Sequence, residues 1–380
     1  MKKIVRITTV PQSLKILLKG QLKYISKYYD VIAVSSDGDS FNSMLKEQGV
    51  RGIKIEMSRR ITPIKDFIAL IKLIIFLKKE KPNIVHTHTP KAGILGMLAA
   101  WIVRVPYRLH TVAGLPLLVA VGGKRNLLTF VEKITYACAT KVYPNSFVMK
   151  QIIINNKLTK IDKLRVIANG SSNGIDSSFF SVEQSPFSRE EMRKQLNLAK
   201  EDFVFIFVGR IVKDKGMNEL IDAFKLLCYE KLHVKLIMVG DFERELDPLL
   251  LKNENYIRKS STVRFVGYQN DVRPYFMASD ALVFPSYREG FPNVVMQAGA
   301  MGLPSIVTDI NGCNEIIINE KNGTIIRPKD KEALYQAMKD FISNPEKIKG
   351  YAANARSMIV SRYEQKIVWE ALLKEYRSLE

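Results

Sequence analysis

Short β-branched runs alternate with longer helical patterns along the whole chain. In the first half IVRITT (4–9), DVIAVSS (30–36), GIKIEM (52–57), NIVHTH (83–88), YRLHTV (107–112), KVYPNS (141–146) and LRVIANG (164–170) read as strands. Between several of them lie helical stretches such as LKILLKGQLKYISKYY (14–29) and PIKDFIALIKLIIFLKKEK (63–81). The second half repeats the alternation with FVFIFVGR (203–210), VKLIMVGD (234–241), VRFVGY (263–268), ALVFPS (281–286), PSIVTD (304–309) and GTIIR (323–327). Two helical patterns, around 345–361 and 364–379, end the chain. Strand-helix alternation implies parallel strands with helices on both faces. Between the halves, SSNGIDSSFFSVEQSPFSRE has the Ser, Asn and Gly content of a linker. The expectation is an α/β protein of two doubly wound parallel-sheet domains facing each other across a cleft. Ligands in such sheets bind at the carboxyl ends of the strands.

A length of 380 residues agrees with two domains, since one core rarely grows so large. Composition is that of an ordinary globular protein, with 25% charged and 47% apolar residues. The longest apolar pattern, FIALIKLIIFL (67–77), is broken by Lys72 and is too short to span a bilayer. The apolar run behind MKK is likewise too short for a secretion signal. Cys138, Cys228 and Cys313 have no metal-like or redox-like spacing and are expected as reduced thiols of a cytoplasmic protein.

Charge changes the picture once it is divided. Residues 1–170 hold 29 Lys and Arg against 9 Asp and Glu, a net of +20, and the remainder holds 29 against 29. So polarised a basic surface suits nucleic acid, an anionic membrane face or a phosphorylated lipid. No helix-turn-helix, RNP-like strand or zinc module supports nucleic acid. A generally basic proteome is the plainer alternative.

Neither G-x-G-x-x-G nor a Walker loop is present. DGD (37–39) has a metal-like spacing, but as a Ser-Gly-rich turn it reads better as a loop capping the next helix. In VGRIVKDKG (208–216) a strand ends at Gly209, where a ligand can approach the backbone, and is followed by Arg210 and Lys215. Those two cations can converge on a diphosphate, Arg with a planar fork and Lys with a mobile point charge. REGFPNVVMQ (288–297) then stops another strand with a Glu-Gly-Phe-Pro turn and opens a helix near Asn293. Such a helix start beside Gly290 and Pro292 is a natural phosphate cradle. Glu289 would repel a phosphate and more sensibly accepts hydrogen bonds from sugar hydroxyls. Gln297, about one turn into the helix, is placed to reach a ribose.

These segments resemble the retaining glycosyltransferases of the GT-B fold, family 4, in the branch that builds bacterial capsule, exopolysaccharide or O-antigen. VGRIVKDKG resembles the family's G-R-x4-K segment, YREGFPNVVMQAGAMGLPSI its E-x7-E segment, and HTHTPKAGILGMLAAWIVRVP (86–106) its polysaccharide branch. The resemblance implies two Rossmann-like domains: an acceptor domain over 1–172 and a nucleotide-sugar domain over 173–361, with a helix of about 362–380 returning to the first. It implies Arg210 and Lys215 on the donor diphosphate, with Gly209 beside them, and Glu289 on the donor sugar. Gly290, Phe291, Pro292, Asn293 and Val294 would meet phosphate or sugar, and position 297 the ribose. It further implies transfer with retention from a UDP- or GDP-linked hexose or N-acetylhexosamine, without metal or other cofactor.

Two departures stand out. The second acid of E-x7-E is Gln297, an amide that offers one donor and one acceptor to a ribose diol. Where the family often carries a histidine after its fifth strand, this chain has Ala113; His110, three residues earlier, either takes over that catalytic part or simply packs. His88 and Lys91, just past the fourth strand, either face the cleft or serve the structure.

Acceptors of this branch are commonly growing saccharides on a polyprenyl diphosphate, so the resemblance implies transfer to a lipid-linked or a saccharide acceptor. The resemblance thus implies a peripheral protein on the inner face of the cell membrane, held to anionic lipid through its basic half. AGLPLLVAVGGKRNLLTFVEK (113–133) sets apolar residues beside Lys124, Arg125 and Lys133, as a membrane-touching surface or a core helix would. Two rivals remain: a nucleotide-sugar-binding partner of weak activity, and a UDP-sugar 2-epimerase, which would need acids that the first half lacks.

Overall fold

A computed structural model describes residues 1–379 except 231, 232 and 246. Residue 380, the last of the expected closing helix, lies outside the described residues. The chain divides into two units, Met1–Gly174 together with the segment from Gln365 on, and Ile175–Glu364.

The first unit is a six-stranded sheet of β1 (Lys3–Ile7), β2 (Asp30–Ser35), β3 (Arg51–Lys54), β4 (Ile84–Thr87), β5 (Tyr107–Val112) and β6 (Lys141–Pro144). Its order is β3-β2-β1-β4-β5-β6, with every pair parallel. The intervening helices are α1 (Pro11–Leu17), α2 (Gln21–Ile25), α3 (Ser40–Gln48), α4 (Pro63–Glu80), α5 (Pro90–Ile102), α6 (Gly122–Cys138) and α7 (Phe147–Asn155). One sheet face packs Val5, Ile7 and Val85 against α4, α5 and α6. The other packs Ile4, Ile84 and Leu109 against α1, α2 and the C-terminal helix.

The second unit holds β7 (Phe203–Val208), β8 (Val234–Val239), β9 (Val263–Gly267), β10 (Ala281–Phe284), β11 (Ser305–Thr308) and β12 (Gly323–Ile326). Their order, β12-β11-β10-β7-β8-β9, is again all parallel. Around them run α8 (Arg189–Gln195), α9 (Met217–Tyr229), α10 (Leu251–Lys259), α11 (Arg273–Ala278), α12 (Asn293–Ala300), α13 (Cys313–Ile316), α14 (Lys331–Ser343) and α15 (Pro345–Tyr363). The last helix, α16 (Gln365–Ser378), belongs to the first unit. Period-2 burial is absent from the central strands because helices cover both faces, which is why they read as continuous apolar runs.

Two expectations are corrected. The pattern at 164–170 is not a strand: only Leu164 pairs, with Val142, and left-handed backbone at Ala168, Gly170 and Ser171 turns the chain away. The helical pattern over 14–29 is cut in two at Gly20, whose φ is +76°. A Cβ there would sit 2.6 Å from the Trp369 ring, so glycine lets α16 settle against the break. Cys138, Cys228 and Cys313 are all free thiols.

Candidate active site

In the second unit the strand order reverses between β7 and β10, so the loops leaving these two strands flank the switch point of the sheet. Every residue singled out in the second half lies on one of them or on α12. The loop after β7 carries Gly209, Arg210 and Lys215, and the loop after β10 carries Glu289 to Pro292. The loops are pressed together at Gly216, where φ is +70° and a Cβ would lie 2.0 Å from the Pro285 carbonyl oxygen. The Tyr287 N–H donates to Asp214 O at 2.9 Å, and Arg288 forms an ion pair with Asp214 at 2.7 Å.

That bracing brings Lys215 and Glu289 into a direct ion pair, both side chains largely enclosed. The Lys215 ammonium also sits 5.6 Å from the Phe284 ring centroid, so its stem is packed while its head meets the carboxylate. Arg210 is turned outward to Glu243 at 2.6 Å, and half of its side chain is exposed. An exposed pair of this kind contributes little and opens readily. Arg210 is therefore available to a ligand, whereas Lys215 is already seated beside Glu289.

The Gly-Phe-Pro turn is held from behind by Asn311, whose side-chain amide donates to the carbonyls of Glu289 and Gly290. Helix α12 follows with Pro292 as its N-cap, and among the described residues no side chain caps its first amides. Val295, Met296, Ala298, Gly299 and Ala300 bury the inner side of α12, and Asn293, Val294 and Gln297 lie on its half-exposed side. Gln297 makes no side-chain hydrogen bond among the described residues. Its position, one turn from the helix start, leaves the amide available.

Sequence reasoning missed three members of this arrangement. Asn311 stands in an Asn-Gly turn just past β11, a strand-end signal that deserved the attention given to the two flanking loops. Glu243 and Asp214 act only through tertiary pairing, which spacing does not reveal.

The first unit treats its predicted residues differently. His110 is buried against Gly93 and Tyr136, and its Nδ1 shares a hydrogen bond of 2.7 Å with Thr87 Oγ1. Burial pushes its pKa down to about 3, so the ring is neutral at ordinary pH. The parity of β5 points it to the side of the sheet covered by α5 and α6. His88 is equally buried. Its Nε2 accepts from Arg6 Nε at 3.0 Å, and burial holds it well below the ordinary histidine range. Lys91 is paired with Asp66, and Ala113 is half-buried past β5. In the DGD turn, Asp37 pairs with Lys54 at 2.8 Å, and Asp39 caps α3 by position without a side-chain bond. Among the described residues no three His, Cys, Asp or Glu side chains gather as a bound cation would need.

Two parallel six-stranded Rossmann-like sheets in one chain are the GT-B architecture. The fold agrees with that of the Anabaena protein Alr3699/HepE solved in complex with UDP-glucose, at a TM-score of 0.80, 19% identity and full coverage of both chains. Residues 26–170 match the glycosyl transferase 4-like domain, and residues 188–358 match glycosyl transferases group 1. The capsular polysaccharide biosynthesis glycosyltransferase CapM of Staphylococcus aureus is 34% identical over 378 residues, 99% of this chain and 97% of CapM. The UDP-Gal:alpha-D-GlcNAc-diphosphoundecaprenol alpha-1,3-galactosyltransferase of Escherichia coli is 31% identical over 313 residues, covering 81% of this chain and 78% of that enzyme. The chain belongs to the family 4-like glycosyltransferases of group 1.

Proposed function

We propose that this glycosyltransferase moves a hexosyl or N-acetylhexosaminyl group, with retention, from a UDP- or GDP-sugar to a saccharide carried on a polyprenyl diphosphate, in the assembly of a cell-surface polysaccharide. The observation that carries the reading is the Lys215–Glu289 pair set at the switch point, beside a helix start with open amides. One group is suited to a diphosphate and its neighbour to sugar hydroxyls, and a nucleotide sugar joins those two chemistries within a few ångströms. The E. coli relative, whose name states a UDP-galactose donor and a diphosphoundecaprenol-linked acceptor, supports the choice of substrates.

On this reading Lys215 and the amides of α12 hold the diphosphate from two sides, and Arg210 leaves Glu243 to join them. As the anomeric bond to the diphosphate lengthens, negative charge gathers on the leaving phosphate oxygen. Lys215 and Arg210 then meet more charge in the transition state than in the ground state, which is the condition for lowering the barrier. Glu289 fixes the sugar through its hydroxyls, and its pairing with Lys215 keeps the carboxylate from repelling the phosphate. Gln297 meets the ribose. The departing phosphate oxygen takes the acceptor hydroxyl's proton as the new bond forms on the same face, so that neither a metal nor a second carboxylate is called for. Retaining glycosidases differ in placing two carboxylates about the anomeric carbon.

The test is a panel of UDP- and GDP-sugars incubated with membrane extract, read as labelled lipid. One donor should give labelled lipid with the wild type, and Glu289→Ala and Lys215→Ala should reduce it by about a hundredfold or more. Product from neither nucleotide class, or equal product from both variants, would overturn the reading in favour of an inert binder.

A further inference from the structure

The Glu-Gly-Phe-Pro turn is pinned on one side only. The side-chain amide of Asn311 donates both to Glu289 O, at 3.1 Å, and to Gly290 O. Gly312, at φ +78°, lies so near that a Cβ there would meet Gly290 O at 2.8 Å and Phe291 Cα at 2.9 Å. The Phe291 ring is anchored against Tyr363 of α15, with centroids 5.3 Å apart. The loop that carries Asn311 is itself fixed at the end of β11, where Thr308 Oγ1 donates to Ser286 O at 2.5 Å. Asn311 is 8% exposed, so its hold is shielded from water.

The grip on those two carbonyls decides where two N–H groups go. A trans peptide unit is planar, and its C=O and N–H point in opposite directions. The carbonyl of Glu289 shares its plane with the amide of Gly290, and that of Gly290 with the amide of Phe291. Because both carbonyls converge on one nitrogen, both amides are turned to the side away from Asn311. Gly290 and Phe291 are half-buried, and among the described residues neither amide meets an acceptor. Successive N–H groups aimed to one side of a turn make a concave anion seat. A primary amide suits the task behind them: its one nitrogen carries two N–H donors, where a hydroxyl has one and a carboxylate none.

We infer that Asn311 is a positioning residue of the donor site. By holding the Glu289 and Gly290 carbonyls behind the turn, it presents the Gly290 and Phe291 amides together to the donor's diphosphate. Asn311 acts from behind and does not touch the donor. Its hold on the Glu289 carbonyl also fixes the backbone from which the Glu289 carboxylate reaches Lys215. The inference deepens the proposed function and rests on it for the identity of the anion.

The test titrates inorganic pyrophosphate into the full chain, isotopically labelled at the nitrogens of glycine, phenylalanine and valine, and follows the amide resonances. In the wild type Gly290, Phe291 and Val294, the last on α12, should shift together and saturate. Asn311→Asp keeps the shape of the side chain and removes both donors; it should raise the pyrophosphate Kd about tenfold or more. Asn311→Ala should do the same without a new charge. At saturation the Val294 amide of either variant should still shift, whereas those of Gly290 and Phe291 should not. A merely structural role would move all three alike. The inference is overturned if the wild-type amides of Gly290 and Phe291 stay silent, or if both variants respond as the wild type does. It is equally overturned if both variants lose all three responses together with their folded spectrum. The probe carries neither nucleoside nor sugar, so failure here leaves the donor panel's outcome standing. A failed panel with responsive amides leaves Asn311 its role toward another anion.

Discussion

Counted from its own first strand, each sheet runs 3-2-1-4-5-6, yet the two interiors are built from different material. In the second, β7 and β10 are wholly apolar, and the ionisable groups appear only once the strands have ended. In the first, Arg6 and His86 stand side by side in β1 and β4 and are fully buried, with Thr111 beyond them. They feed a network under α16. Arg6 reaches His88 at 3.0 Å and Gln21 at 2.5 Å, Gln21 reaches Asn173 at 3.1 Å, and Trp369 Nε1 donates to Asn173 at 2.8 Å. His86 bonds Tyr376 at 2.6 Å, and Tyr143 donates to Glu375 at 3.1 Å. One topology thus serves two ends. The first sheet uses buried polar groups to fasten a helix from the far end of the chain. The second keeps its two central strands apolar and carries the Lys215–Glu289 pair on the loops that leave them. Buried histidines and an arginine thus belong to the first unit's interior network, whereas Lys215 and Glu289 lie on loops past the second sheet's central strands.

Acid should separate the two units most strongly. His86, His88 and His110 are held neutral by burial, each below the ordinary value of 6.5. The unfolded chain therefore binds more protons than the folded one once pH falls below about 6.5, and stability declines with falling pH. Each ring contributes a loss of up to about 1.4 kcal/mol per pH unit; the buried Glu132 carboxyl, pushed up to about 7 by burial, takes up a proton in the fold over the same range and offsets one of them, leaving up to about 3. Trp101 and Trp369, the two tryptophans of the chain, both lie in the first unit. Urea unfolding followed by tryptophan fluorescence should show that unit weakening from pH 7 to 5, while hydrogen exchange in β7 and β10 changes little. His110→Asn should reduce that slope by about half and leave turnover within about threefold. A larger loss of turnover would return His110 to catalysis.

A smaller effect is expected from Gln21→Leu. The substitution removes the acceptor of a buried guanidinium and should lower the first unit's stability by about 3 kcal/mol, with donor affinity unchanged. A comparably buried apolar exchange in the second sheet, Ile206→Val, should cost about 1 kcal/mol. Equal costs at the two positions would erase the distinction between the interiors.

How far the sequence discloses this contrast depends on which interactions are local. Twelve of the thirteen expected strands exist, because apolar runs bounded by Gly, Pro and Asn are local signals. The thirteenth, 164–170, has a strand's composition but needs left-handed backbone, which tertiary packing imposes. Gly209, Arg210, Lys215 and Glu289 could be picked out because they follow strands directly in the chain. Their pairing could not: Lys215 and Glu289 are 74 positions apart. The same limit hid Glu243 and Asp214. His110 shows the converse: a reactive residue type near a strand end, whose burial against Gly93 and Tyr136 only the tertiary structure discloses.

The claim that the second unit's switch point receives a nucleotide diphosphate is tested most directly by calorimetric titration with UDP and with GDP. The account predicts saturable binding of one of them to the wild type. Lys215→Ala should weaken that binding ten- to a hundredfold, the worth of one charge-assisted hydrogen bond, at an unchanged melting midpoint. A Lys215→Ala protein that binds the nucleotide as the wild type does would contradict it.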